Sequence, residues 1–101
     1  MIKVTVLFNH PTNPQEFERY YAETHLPIAG KMKGFSRLEL TQFGPGPDGG
    51  KPAYYRMAEL CFPSQAQMQT TLGSPEGQAA VADIGNFATG GVTMLFGSVS
   101  S

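Results

Sequence analysis

Two hydrophobic periods alternate along this chain, and their order constrains the fold more than any other feature. Ile2, Val4, Val6 and Phe8 recur at every second residue, with Lys3, Thr5, Leu7 and Asn9 between them, the repeat of a strand whose two faces are both largely covered. Asn13-Pro14-Gln15-Glu16 then reads as a helix start. Asn13 caps, Pro14 suits the first helical position, and Glu16 can bond back to the cap. Phe17, Tyr21 and His25 follow at intervals of four and so share one helical face, while Pro27 disfavours helix at Leu26. The pattern predicts a first helix from Pro14 to His25. A short further turn from Ile28 to Lys33 is expected to stop at Gly34.

The period of two returns from Phe35 to Phe43, with Leu38 and Leu40 on one face and Phe35, Arg37, Glu39, Thr41 and Phe43 on the other. Gly44 to Pro52 holds four glycines and three prolines, which only a loop tolerates. Tyr54 to Phe62 is apolar and aromatic and predicts a third strand, antiparallel to the second. Ser64-Gln65-Ala66-Gln67 starts a second helix, Gly73 interrupts it, and Ser74-Pro75-Glu76 restarts it towards Gly85. Val92 to Val99 alternates once more. Strand, helix, strand, strand, helix, strand is the ferredoxin-like βαββαβ order: an α+β fold with a four-stranded antiparallel sheet and both helices on one face.

The other face then needs a cover. The chain has 101 residues, enough for a single domain over 1–101 and no second one. It contains no internal repeat, so the expected cover is another molecule of the same chain, giving a homodimer joined through the sheet face as an α+β barrel. Charged residues make up 15% of the chain, well below the usual quarter or so, which fits a surface partly occupied by a partner. A net charge of -1 without a basic stripe argues against nucleic acid. No apolar run reaches the length of a membrane span or resembles a signal peptide. Cys61 is the single cysteine; it can form no disulfide within the chain and suits a reducing, cytoplasmic compartment.

Few residues carry chemistry. Gly44, Gly46 and Gly49 match the letters of a dinucleotide loop, but they join two strands, include Pro45 and Pro47, and precede no helix, so they read as a hairpin loop. His10 and His25 belong to no spaced ligand set, and no metal or other cofactor is expected. Cys61 reads as a core thiol. Arg37 and Glu39 read as an ion pair at the dimer interface.

His25 is the most informative residue. On the same stripe as Phe17 and Tyr21 it should point towards the sheet, where burial and a tyrosine hydroxyl could fix its tautomer and make it a general base. The alternative is that His25 only satisfies a backbone group where the helix ends. Adjacent Tyr20 and Tyr21 point about 100° apart, so only one of them can share the face of His25, and spacing selects Tyr21. Phe17, Tyr21 and His25 are thus the expected ligand-binding stripe, with His25 and Tyr21 catalytic. Phe87, after the second helix, is expected to close the mouth.

Phe17-Glu18-Arg19-Tyr20-Tyr21-Ala22-Glu23-Thr24-His25-Leu26-Pro27 resembles the signature of the EthD family, small proteins of the dimeric α+β barrel superfamily. That signature is a phenylalanine, a pair of aromatics, and a histidine two residues before a proline. Glu59-Leu60-Cys61-Phe62, Ser74-Pro75-Glu76, and Asp83 with Phe87 extend the resemblance over nearly the whole chain. Tyr21 stands where many members carry tryptophan. The family takes its name from a protein encoded with an ethyl tert-butyl ether oxidation system and is loosely associated with oxidoreductases. Its wider superfamily includes cofactor-free monooxygenases, isomerases and polyketide cyclases or decarboxylases. The resemblance implies a pocket between helices and sheet for a small aromatic or carbonyl-bearing metabolite, with cofactor-free chemistry at His25. Two other readings remain open: an accessory protein that binds or delivers such a compound to an oxygenase, and a purely structural dimer.

Overall fold

Alternation in Ile2–Phe8 makes β1 the inner strand of a sheet, because every second side chain can be buried without breaking the ladder. The computed structural model describes residues 1–100; Ser101, the last residue of the expected domain, lies outside them. The remaining strands are β2 (Arg37–Gln42), β3 (Arg56–Phe62) and β4 (Val92–Ser98). They form one antiparallel sheet in the order β2-β3-β1-β4. Val4 lies opposite Leu60 and Phe96, and Val6 lies opposite Ala58 and Met94. The expected ferredoxin-like fold is observed. β2 and β3 are shorter than their apolar patterns predict, but backbone pairing reaches one residue further at the loop end, where the Phe43 N–H donates to the Tyr55 carbonyl and the Tyr55 N–H donates to the Phe8 carbonyl.

The first helix departs from expectation. It does not end at His25 but runs on as α1 (Pro14–Tyr20), a π-helical turn (Tyr21–His25) and α2 (Leu26–Ala29). Pro27 has no N–H and its ring would strike the carbonyl four residues back in a regular α-helix. The wider turn avoids that conflict by shifting the pairing by one residue: the Leu26 N–H donates to the Tyr21 carbonyl. A proline stops a helix only where the geometry stays α-helical throughout. Asn13 caps α1 as predicted, its side chain accepting from the Gln15 and Glu16 amides.

The second helix is broken as expected into α3 (Gln65–Gly73) and α4 (Pro75–Ile84). Ser74 is extended at the break, accepting from the Gly77 amide at 3.1 Å and donating to the Thr71 carbonyl at 2.6 Å. Gly77 is required here, since a side chain would run into the backbone of Thr71 and Leu72. The tight turn lays α4 against α2.

Helices cover one face of the sheet, burying Val4, Val6, Phe8, Ala58, Leu60 and Phe62 against Phe17, Tyr21, Ala80, Ile84 and Phe87. The other face has no helix on it. It carries Lys3, Thr5 and Leu7 of β1, Met57, Glu59 and Cys61 of β3, and Arg37, Glu39 and Thr41 of β2. Lys3 and Glu59 are 3.1 Å apart, and Arg37 pairs with Glu39. Apolar side chains on the edge strands also stand exposed, Leu38 and Leu40 on β2 and Val92, Leu95 and Phe96 on β4. Among the described residues, no helix is long and apolar enough to cross a membrane.

Candidate active site

The π-helical turn presents Tyr21 and His25 to the sheet with their rings stacked, 5.7 Å apart and 16° from parallel. Behind them pack the rings of Phe17, 5.5 Å from Tyr21, and Phe87, 4.6 Å from His25. Phe8 completes this aromatic cluster from β1.

The penultimate residue of α4, Asp83, reaches the same histidine. Its Oδ2 lies 3.0 Å from His25 Nδ1, and both residues are only 7% exposed. The other oxygen, Oδ1, accepts from the Tyr20 hydroxyl at 2.7 Å and from Asn86 Nδ2 at 3.0 Å. Burial by itself would raise the Asp83 carboxyl. Hydrogen bonds from Tyr20, Asn86 and His25 outweigh it and hold the group below the ordinary aspartate value. An ionised carboxylate only accepts, so in the neutral imidazole it selects the Nδ1–H tautomer and leaves the lone pair on Nε2.

His25 Nε2 and the Tyr21 hydroxyl make no hydrogen bond among the described residues. Since no side-chain nitrogen or oxygen there is both fully buried and unpartnered, these two atoms keep contact with open space. The same two residues are the polar lining of a cavity of about 60 Å³ between the helices and the sheet. Leu38, Leu40 and Val81, each more than a third exposed, lie at its outer rim. Burial pushes the Tyr21 phenol up, keeping it a donor.

A second polar group flanks Tyr21. The Arg56 guanidinium lies 5.0 Å from the centre of its ring and is held in a fork by Glu18, Nε to Oε2 at 2.9 Å and Nη2 to Oε1 at 2.5 Å. The Tyr55 hydroxyl also donates to Glu18 at 3.0 Å. Hydrogen bonding from Arg56 is the main reason the Glu18 carboxyl sits below its ordinary range.

Of the four expected site residues, Tyr21 and His25 reach the cavity wall, whereas Phe17 and Phe87 do not. Phe87 is thus not at that cavity's mouth: with Phe17 it is buried behind the two lining rings, and both border a separate surface hollow beside Tyr20 and Asn86. The hydroxyl expected from Tyr21 on His25 is absent. Stacked rings cannot hydrogen-bond edge to edge, and Asp83 takes that role, with Tyr20 behind it. Spacing along the helix favours Tyr21 over Tyr20, so this contact is not legible from it. Asp83, 58 residues from His25, carried no local signal for this contact beyond its place in the family resemblance.

Among the described residues, no three His, Cys, Asp or Glu side chains gather as a metal site. His10 Nε2 lies 2.7 Å from the Pro52 carbonyl, pinning the end of the glycine- and proline-rich loop. Cys61 is a buried free thiol.

Residues 9–91 match the EthD domain. The chain belongs to the EthD family. It is 41% identical over 96 residues to an uncharacterized 11.0 kDa protein from the thcB–thcC intergenic region of Rhodococcus erythropolis, covering 95% of this chain and 92% of that one. An EthD family protein from Bacillus halodurans, solved as a crystal structure, superposes with a TM-score of 0.91 at 27% identity, over 99% of both chains. SnoaB, a cofactor-independent oxygenase from Streptomyces nogalater, has the same fold: TM-score 0.64, 16% identity, over 99% of this chain and 92% of that one.

Proposed function

We propose that this EthD protein binds a small apolar molecule carrying one hydroxyl or carbonyl group and moves a proton on it, with His25 as the general base. The observation that carries the reading is the buried Asp83–His25 pair, which orients the imidazole of a cavity-lining histidine and leaves its Nε2 without a partner among the described residues. A substrate O–H, or a C–H beside a carbonyl, gives its proton to Nε2. The imidazolium then sits between the Asp83 carboxylate and the new substrate anion, and the Tyr21 hydroxyl donates to the oxyanion. Proton transfer of this kind draws only on side chains of the chain. Chemistry of the cofactor-independent oxygenase type is compatible with it, and the fold shared with SnoaB, a cofactor-independent oxygenase, is in keeping with an oxidative role.

The cavity, about 60 Å³, is smaller than the roughly 150 Å³ that holds a benzene ring. An aromatic ligand therefore enters by turning Leu38, Leu40 and Val81 outward at the rim.

The uncovered sheet face is where a second copy docks. Half-buried Leu7 and Met57 offer apolar area there, and Lys3, Glu59, Arg37 and Glu39 balance one another's charge. The unpaired Cys61 on that face suits the reducing cytoplasm.

Deuterium uptake at the α-carbon of cyclohexanone in D₂O, followed by proton NMR, tests the base. The wild type should accelerate exchange over buffer, and His25→Gln should lose roughly 10²–10⁴-fold of that rate. Retention of a small organic molecule by the purified protein, with exchange no faster than in buffer, would favour the accessory-binding reading instead.

A further inference from the structure

We infer that Glu18 sets the charge selectivity of the pocket: by occupying Arg56 it leaves the cavity without a free cation, so the site takes uncharged hydroxyl or carbonyl compounds and rejects carboxylates. The inference rests on the reading of His25 and its cavity given above. Arg56 lies on the helix-covered face of β3, two residues before Ala58, which lines the cavity. Its guanidinium lies over the ring of Tyr21, a cavity-lining residue, 5.0 Å from the ring centre. A free arginine there would meet a ligand carboxylate in the same two-pronged geometry that it now gives to Glu18. Glu18 holds it at Nε and Nη2, and the Tyr55 hydroxyl fixes Glu18 in turn.

The remaining charges point the same way. The cavity wall contains no Lys, Arg, Asp or Glu. The charge bonded directly to the polar lining is Asp83, behind His25, and it is negative. An entering anion would face that carboxylate and the loss of its own hydration with no cation in return. A neutral acid enters free of both costs. Once its proton passes to Nε2, the substrate anion faces an imidazolium, and three alternating charges form only after binding.

Matched probes separate this inference from the reading beneath it. Phenol and benzoate share a ring, and near pH 7 the first is neutral and the second ionised. Calorimetric or NMR titrations of the intact protein should show phenol binding that His25→Gln weakens, with benzoate at least tenfold weaker. Glu18→Gln should raise benzoate affinity roughly tenfold, the size of one charge-assisted hydrogen bond, and change phenol little. Glu18→Gln combined with Arg56→Gln should abolish the gain, which assigns it to the released guanidinium and controls for a general loosening of the site. Equal affinity for both probes in the wild type, or an unchanged ratio in Glu18→Gln, with binding still dependent on His25, overturns the role of Glu18 and leaves the His25 site standing. Binding of neither probe in a His25-dependent way overturns both.

Discussion

The two faces of the sheet share the same strands, yet one is closed by helices and the other is left to solvent. On the helix side, Val4, Val6, Phe8, Leu60 and Phe62 alternate inward with hardly a polar atom among them. On the far side, the intervening residues mix Lys3, Glu59, Arg37 and Glu39 with Leu7, Met57 and Leu95. Every polar group brought to the covered side comes from the helices or the loop end of the sheet, and among Asp83, His25, Glu18 and Arg56 each finds a partner. A strand's alternation decides which residues share a face, while the helices decide which face closes over a core and its cavity. The exposed face keeps charges that water can solvate and that a second copy can match.

The largest expected effect comes from breaking the covered face. Phe62 is 0% exposed, so Phe62→Ala should cost about 3–5 kcal/mol, read as a lower urea midpoint. Removal of Leu7 from the other face should cost the isolated subunit much less. An equal loss at the two positions would erase the distinction between the faces.

Next in size is the partner carboxylate of the site. Asp83→Asn should lower stability near pH 7 by about 1–3 kcal/mol, because an amide cannot accept from Tyr20, Asn86 and His25 as the carboxylate does. Its acid profile sharpens the test. The folded-state pKa of Asp83 lies below its unfolded value, so between the two the unfolded chain binds more protons and stability falls as pH drops. The contribution is complete above about pH 4 and disappears as pH falls through the depressed folded value. Asp83→Asn should therefore flatten the acid limb of the unfolding midpoint against pH, and an unchanged limb would remove the ionised carboxylate from the account.

Assembly probes the open face. Met57→Asp should convert the proposed dimer to a monomer in light scattering behind size-exclusion chromatography, with the far-ultraviolet circular dichroism unchanged. A wild type that is monomeric at micromolar concentration would break the proposal that a second copy covers this face. The smallest effect is expected at the exposed Arg19–Glu16 pair, 2.7 Å apart on α1. Arg19→Ala should leave the thermal midpoint within error, because solvent screens such a pair.

Much of this was legible in the chain. The period of two in β1 and the caps at Asn13, Ser64 and Ser74 located the elements, because each depends on neighbours within a few residues. The stripe of Phe17, Tyr21 and His25 was also legible, and all three turn inward. Regular spacing could not reveal the π-helical turn, since the conflict at Pro27 has two resolutions, stopping the helix or widening it, and only packing chooses between them. Nor could it distinguish a residue that lines a cavity from one that packs behind the wall, as Phe17 and Phe87 do.

The order of the elements, the α+β class and a histidine facing the sheet are all readable along the chain, since they follow from short-range periodicity and capping. Its local pattern also supplied the family signature around His25. Which groups surround that histidine depends on how the elements pack. Asp83, the Tyr20 hydroxyl behind it and the Glu18–Arg56 pair beside Tyr21 meet only after α4 and β3 pack against the first helix. Hydrogen bonds depend on tenths of an ångström and on direction, quantities that spacing along a chain does not carry across 58 residues.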